Sequence, residues 1–197
     1  MRNSVLRIFG CSMASLALAG CFNEPEPAYK SVPAENRVYL SDKGLKEVPA
    51  VNASADYLNL DRNQLTNVNA VAALTKLKWL RLNDNRLSSL PDLKNLASLR
   101  RIYLRNNRFA AVPETLKDLP SLTDVDLSGN PLREVPAWLA EKKGLKNLSF
   151  SRTQIVKLPE NLSAWKSLQA LHLGDLNLSP QEMARIRSAL PNVAIVF

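Results

Sequence analysis

The stretch Leu99–Phe109 reads LRRIYLRNNRF. Ile102 and Leu104 alternate with polar or amphipathic neighbours, the period of a short strand with one buried side. Working outward, the same arrangement recurs without a gap as LKWLRLNDNRL (77–87), LTDVDLSGNPL (122–132), LKNLSFSRTQI (145–155) and LQALHLGDLNL (168–178). ADYLNLDRNQL (55–65) precedes these copies, and a weaker copy lies at ENRVYLSDKGL (35–45). With each copy numbered from position one to position eleven, the fourth-position residues are Leu58, Leu80, Ile102, Val125, Leu148 and Leu171, separated by 22, 22, 23, 23 and 23 residues. No copy can bury its apolar side alone, so the pattern demands a stack with one continuous core.

Position nine holds Asn63, Asn85, Asn107 and Asn130. An amide both donates and accepts, so it can satisfy backbone groups where the chain turns inside a stack. Losing it leaves buried groups unpaired, at about 1–3 kcal/mol each. These residues strongly resemble the leucine-rich repeat family and its L-x-x-L-x-L-x-x-N-x-L signature over about residues 35–178. The resemblance implies an α/β repeat solenoid: an arc with a concave parallel sheet of about seven to eight short strands and short helical or 3-10 segments on the convex face. VPETLKDLPSL (112–122) and LPENLSAWKSL (158–168), with apolar residues three to four apart, fit those convex turns.

The ladder is expected to weaken at both ends. Lys43 replaces the asparagine in the first copy, Thr153 keeps only a hydroxyl in the sixth, and Leu176 has no hydrogen-bonding group in the seventh. Beyond it, Ser179-Pro180-Gln181-Glu182 supplies a capping serine, Pro at the first helical position and Glu at the third, so a helix is predicted there. Met183, Ile186 and Leu190 give it an apolar face, and NVAIVF (192–197) reads as a closing strand.

The chain has 197 residues, 26 basic and 18 acidic, for a formal net charge of +8. Arg2 and Arg7 belong to a segment expected to be removed, and the remaining basic excess is scattered along the chain. There is no basic stripe or nucleic-acid reader motif, so nucleic acid is not an expected partner. Residues 1–20 read as a signal peptide, with a basic start, a short apolar run from Ile8 to Leu18 and the ending Leu18-Ala19-Gly20-Cys21. That ending is similar to the lipobox of bacterial lipoproteins. The similarity implies cleavage before Cys21, a covalent diacylglycerol on its sulfur and an acyl chain on the new amino group, with no other cofactor. Two or three chains anchor a protein stably where one does not. Ala17-Leu18-Ala19 also spells an ordinary cleavage site, which would leave a soluble protein with a free thiol. With lipidation, neither Cys11 nor Cys21 is left for a disulfide or a metal.

The expected organisation is therefore a signal peptide (1–20), a lipidated cysteine and proline-rich tether (21–35), a repeat domain (36–178) and a capping helix and strand (179–197). Prolines 25, 27 and 33 keep the tether extended. The resemblance implies a lipid-anchored location at the cell envelope. Phe22 stands where Asp commonly signals inner-membrane retention, which favours the outer membrane in a two-membrane envelope.

In such an arc, the residues between the leucines project from the concave sheet. The first four copies place Tyr39, Tyr57, Trp79 and Tyr103 beside Arg81, Arg101 and Arg105, with Asp124 and Asp126 following. Tyr, Trp and Arg dominate binding hot spots, which marks these nine residues as a partner-binding face. Mutual pairing is the competing reading: Arg101 beside Asp124, Tyr103 beside Asp126, and Trp79 stacked on Arg101. Catalysis is not expected. His172 is the single histidine, and no serine elbow, phosphate loop or zinc spacing is present. The expected function is a non-catalytic, monomeric protein–protein interaction module. The alternative is a receptor for anionic envelope glycans or other polyanions, motivated by the arginines.

Overall fold

The computed structural model describes residues 36–197. The expected signal peptide (1–20) and the expected lipidated cysteine and tether (21–35) lie outside the described residues. Eight three-residue strands follow one another: β1 (Arg37–Tyr39), β2 (Tyr57–Asn59), β3 (Trp79–Arg81), β4 (Arg101–Tyr103), β5 (Asp124–Asp126), β6 (Asn147–Ser149), β7 (Ala170–His172) and β8 (Ala194–Val196). They form one parallel sheet in chain order. The register never slips: Leu58, Leu80, Ile102, Val125, Leu148 and Leu171 sit opposite one another from strand to strand. The fold is the α/β repeat solenoid that the resemblance implies.

The core is the stack of leucine rows. Position four from Leu58 to Leu171 and position six from Leu60 to Leu173 are sealed from solvent, and they merge with convex residues such as Val71, Leu116, Leu139 and Leu162 in one cluster. Truncating any of these leucines to alanine is expected to cost about 2–5 kcal/mol.

Each strand is short because each copy turns sharply at position eight. Asp42, Arg62, Asp84, Asn106, Gly129, Arg152 and Asp175 all occupy the left-handed region, with φ between 52° and 66°. Asn and Asp tolerate that conformation, whereas other non-glycine residues meet a steric cost of roughly 1–2 kcal/mol. Arg62 is held there by both carboxylate oxygens of Asp42, at 2.6 and 2.5 Å. Gly129 has a second constraint, since a Cβ there would collide with the Asn106 side-chain oxygen.

The asparagines follow that turn and behave as pegs. Asn107 Nδ2 donates to the carbonyls of Leu82 (2.9 Å), Leu104 (3.0 Å) and Arg105 (3.2 Å), while its Oδ1 accepts from the Leu87 N–H at 3.0 Å. Asn63, Asn85 and Asn130 repeat the scheme, each joined to the preceding copy. The hydroxyl of Thr153 does not substitute for an amide: its Oγ1 is buried without a hydrogen-bond partner. A hydroxyl is too short to bridge two copies, so the ladder ends at Asn130.

Convex returns form 3-10 turns over Asn69–Ala73, Glu114–Asp118 and Leu162–Ala164, and a short helix α1 over Ala137–Glu141. Pro113 and Pro136 start two of them. Trp165 is buried there, its Nε1 donating to the Leu139 carbonyl at 2.8 Å, and half-buried Trp138 donates to Glu114 at 3.1 Å.

At the C-terminal end, α2 spans Pro180–Ala189, and its Ser179 cap accepts from the Glu182 N–H at 3.1 Å. Glu182 fastens the helix to the sixth copy: its carboxylate accepts from the Leu158 N–H at 2.8 Å and pairs with Arg185 at 2.7 Å. Hydrogen bonding to Arg185 holds the Glu182 carboxyl below its ordinary range despite burial. Arg185 also donates to the Leu158 and Pro159 carbonyls. β8 then extends the sheet, with Ala194 and Ile195 opposite Ala170 and Leu171.

Candidate functional site

The parallel register lines up equal positions of successive copies, so the concave face consists of rows. Position three runs Arg37, Tyr57, Trp79, Arg101, Asp124, Asn147 and Ala170. Position five runs Tyr39, Asn59, Arg81, Tyr103, Asp126, Ser149 and His172. Eight of the nine residues singled out from the sequence therefore lie in these two rows, and Arg105 follows at position seven, just past β4. They interlock along the face. Tyr39 tilts against Tyr57 with ring centroids 5.3 Å apart, and Tyr57 meets Trp79 edge-on at 5.7 Å. The Arg101 guanidinium lies 4.5 Å from the centre of the Trp79 ring, and that of Arg81 lies 5.5 Å from Tyr103.

The acids join the same chain of contacts. Arg101 reaches Asp124 at 3.6 Å, and Asp124 also accepts from Thr123 Oγ1 at 2.5 Å and Asn147 Nδ2 at 2.6 Å. Arg81 Nε donates to Asp61 at 2.8 Å, and Asp61 is buried and accepts from the Asn83 N–H. Arg105 stands 4.0 Å from Asp84. Mutual pairing, the competing reading of these residues, is thus what the geometry displays for Arg101 with Asp124 and with Trp79.

Exposure divides the nine into two layers. Tyr57, Trp79 and Tyr103 are 5%, 6% and 4% exposed, and Asp124 and Asp126 are buried with them. Tyr39 is 53% exposed, and Arg81, Arg101 and Arg105 are half-buried. The accessible layer is therefore one tyrosine and three arginines over an aromatic and acidic base.

Asp126 lies at the buried base of the face. Burial pushes its carboxyl above the ordinary range, against the opposing pull of the Ser128 N–H, Arg105 and His172. Burial likewise pushes the His172 imidazole down, with Asp126 pulling the other way. Asp126, Ser149 and His172 occupy three successive strands, with the serine in the middle. A proton relay needs the imidazole in the middle, and the Ser149 hydroxyl instead meets Ser128 Oγ at 2.5 Å. Among the described residues, no cluster of His, Cys, Asp and Glu could hold a metal, and no helix is long and apolar enough to cross a membrane.

One row escaped the sequence reading. Position two, just upstream of each strand, runs Asp56, Lys78, Arg100, Thr123, Lys146 and Gln169. The N–H groups of Lys78, Arg100, Thr123, Lys146 and Gln169 each donate to the carbonyl one copy back, at 2.7–2.8 Å. Position two is therefore as regularly spaced as the strands themselves. Its three cations line a groove of about 800 Å³ together with Arg101 and Asp124. The signal was present in the sequence: Lys78, Arg100 and Lys146 fall at one position of the repeat.

The leucine rich repeat family model matches residues 75–132. A solved leucine-rich repeat protein of Leptospira interrogans is 26% identical at a TM-score of 0.62, the match covering 78% of this chain and 46% of that one. A solved internalin of Listeria monocytogenes is 23% identical at a TM-score of 0.60, covering 74% of this chain and 44% of that one. The chain thus spans less than half the length of either. No curated protein matches it. The chain carries a leucine-rich repeat domain, a fold that commonly serves protein–protein interaction.

Proposed function

We propose that the protein is a non-catalytic protein-binding module held at the bacterial cell envelope by lipidated Cys21, with the concave face as its docking surface. The observation that carries this reading is the interlocked face from Tyr39 to Asp124. Its large side chains are held by neighbours before any partner arrives, so binding costs little further side-chain ordering. Eight strands spaced about 4.8 Å apart give an arc roughly 34 Å long, a size suited to a protein partner.

The anchor reading rests on Leu18-Ala19-Gly20-Cys21 and on the proline-bearing segment after it. Phe22 after the cysteine favours the outer membrane where there are two. Replacing Cys21 with serine is expected to move the protein from the membrane to the soluble fraction. For the docking face, a photo-crosslinking amino acid at exposed Tyr39 is compared with one at Lys117 on the convex side. A discrete protein adduct from Tyr39 supports the reading, and an adduct from Lys117 alone contradicts it.

A further inference from the structure

We propose that the groove across the upstream ends of β3 to β6 binds an extended acidic peptide segment. This inference rests on the protein-binding reading and names the chemistry of the partner at that margin. Lys78, Arg100 and Lys146 are all exposed and rooted on the position-two ladder. Lys78 contacts Asp56 at 3.3 Å with half its side chain in solvent. Arg100 and Lys146 have no ion pair among the described residues. Arg101 adds a fourth cation behind them.

The acid in the groove does not neutralise this set. Both oxygens of Asp124 are engaged, by Thr123, Asn147 and Arg101. Arg100 and Lys146 therefore face solvent with their charge uncompensated, beside a half-exposed Lys78, and an anionic ligand fits them.

Spacing and surface chemistry favour a peptide over other polyanions. Successive position-two residues are about 4.8 Å apart, so Lys78 and Lys146 are separated by roughly 14 Å, which four or five extended residues span. Alternate side chains of such a segment point the same way, about 7 Å apart, within reach of long flexible cations. Arg100 can meet a carboxylate with two parallel hydrogen bonds. Ser121, Thr123 and Gln169 line the same groove and offer partners to peptide amides. A nucleobase would look for an aromatic platform. Trp79, the aromatic residue in the wall, is buried under the Arg101 guanidinium.

The test measures fluorescence anisotropy of a dye-labelled peptide of alternating Glu and Ser, in about 50 mM salt where surface charge is weakly screened. The expected result is binding that falls about tenfold or more in the Arg100→Gln/Lys146→Gln double variant. An Arg86→Gln/Arg108→Gln control, which removes exposed cations elsewhere, is expected to change it less than about twofold. A Gln-for-Glu peptide is expected not to bind. Absence of binding by the Glu peptide overturns the proposal, as does equal weakening by both double variants. Preferential binding of polygalacturonate through Arg100 and Lys146 would make the groove a glycan site and also overturn it. Cross-linking from Tyr39 separates two failures. A protein adduct without peptide binding removes the groove assignment alone, whereas no adduct and no binding removes the protein-binding reading as well.

Discussion

Arg100 and Arg101 are neighbours in sequence and opposites in structure. Arg101 belongs to the strand face, half-buried, stacked on Trp79 and paired with Asp124. Arg100 belongs to the margin, exposed and without an ion pair among the described residues. The same contrast holds along the two regions. On the face, Arg81 meets Asp61 and Arg105 approaches Asp84. At the margin, Lys78 meets Asp56, but Arg100 and Lys146 have no such acid among the described residues. A charged residue on a repeat arc thus serves the scaffold when an adjacent copy supplies its counter-charge, and remains available when none does.

The largest expected effect lies inside the stack that supports both regions. Asn107→Ala leaves the Leu87 N–H and the Leu82 and Leu104 carbonyls without their partner, and is expected to cost about 3 kcal/mol or more in urea unfolding. Thr153→Ala is the matched control: its hydroxyl has no partner, so the loss should be small. If the two losses were equal, the peg would not be what holds successive copies together.

Gly129→Ala comes next, at roughly 1–2 kcal/mol, because the left-handed turn acquires a Cβ that pushes on Asn106. Its effect should appear in stability and leave peptide binding at the margin unchanged.

Asp126 sharpens the contrast through pH. Its folded carboxyl titrates above the ordinary value of 3.8, so within that window the folded chain holds a proton the unfolded chain has released. Stability therefore falls as pH rises through the window and stays lower above it. Asp126→Asn keeps the acceptor for the Ser128 N–H and removes the charge, so it should raise the urea midpoint near neutral pH and not well below the window. Glu182 has the opposite sign. Its carboxyl is held low by Arg185, so its contribution is present above the ordinary value of 4.5 and is lost as pH falls through the lower folded value. The Glu182→Gln variant should accordingly differ most from the parent near neutral pH.

Much of the scaffold was legible because its causes are local to a copy. Leu58 through Leu171 recur at fixed spacing, and the pegs at 63, 85, 107 and 130 follow them at a constant interval. Ser179 and Pro180 announced α2 for the same reason. Features that depend on which side chain a neighbouring copy brings were harder to read. The Arg81 pair with Asp61 runs diagonally, from position five to position seven of the preceding copy, so aligning equal positions did not reveal it. Glu182 reaches back to Leu158, 24 residues earlier. Left-handed Arg62 depends on Asp42, 20 residues away. The candidate face was legible as a set of residues, while its division into an exposed layer and a buried base was not, because exposure depends on packing across copies.

The most direct test compares Arg101→Gln with Arg100→Gln by urea unfolding, with no ligand present. The paired arginine is expected to lose about 1–2 kcal/mol, since its removal leaves buried Asp124 without its counter-charge and uncovers Trp79. The margin arginine is expected to change stability by less than about 0.5 kcal/mol. Equal losses would contradict the account, because the charges of the face and of the margin would then be doing the same job.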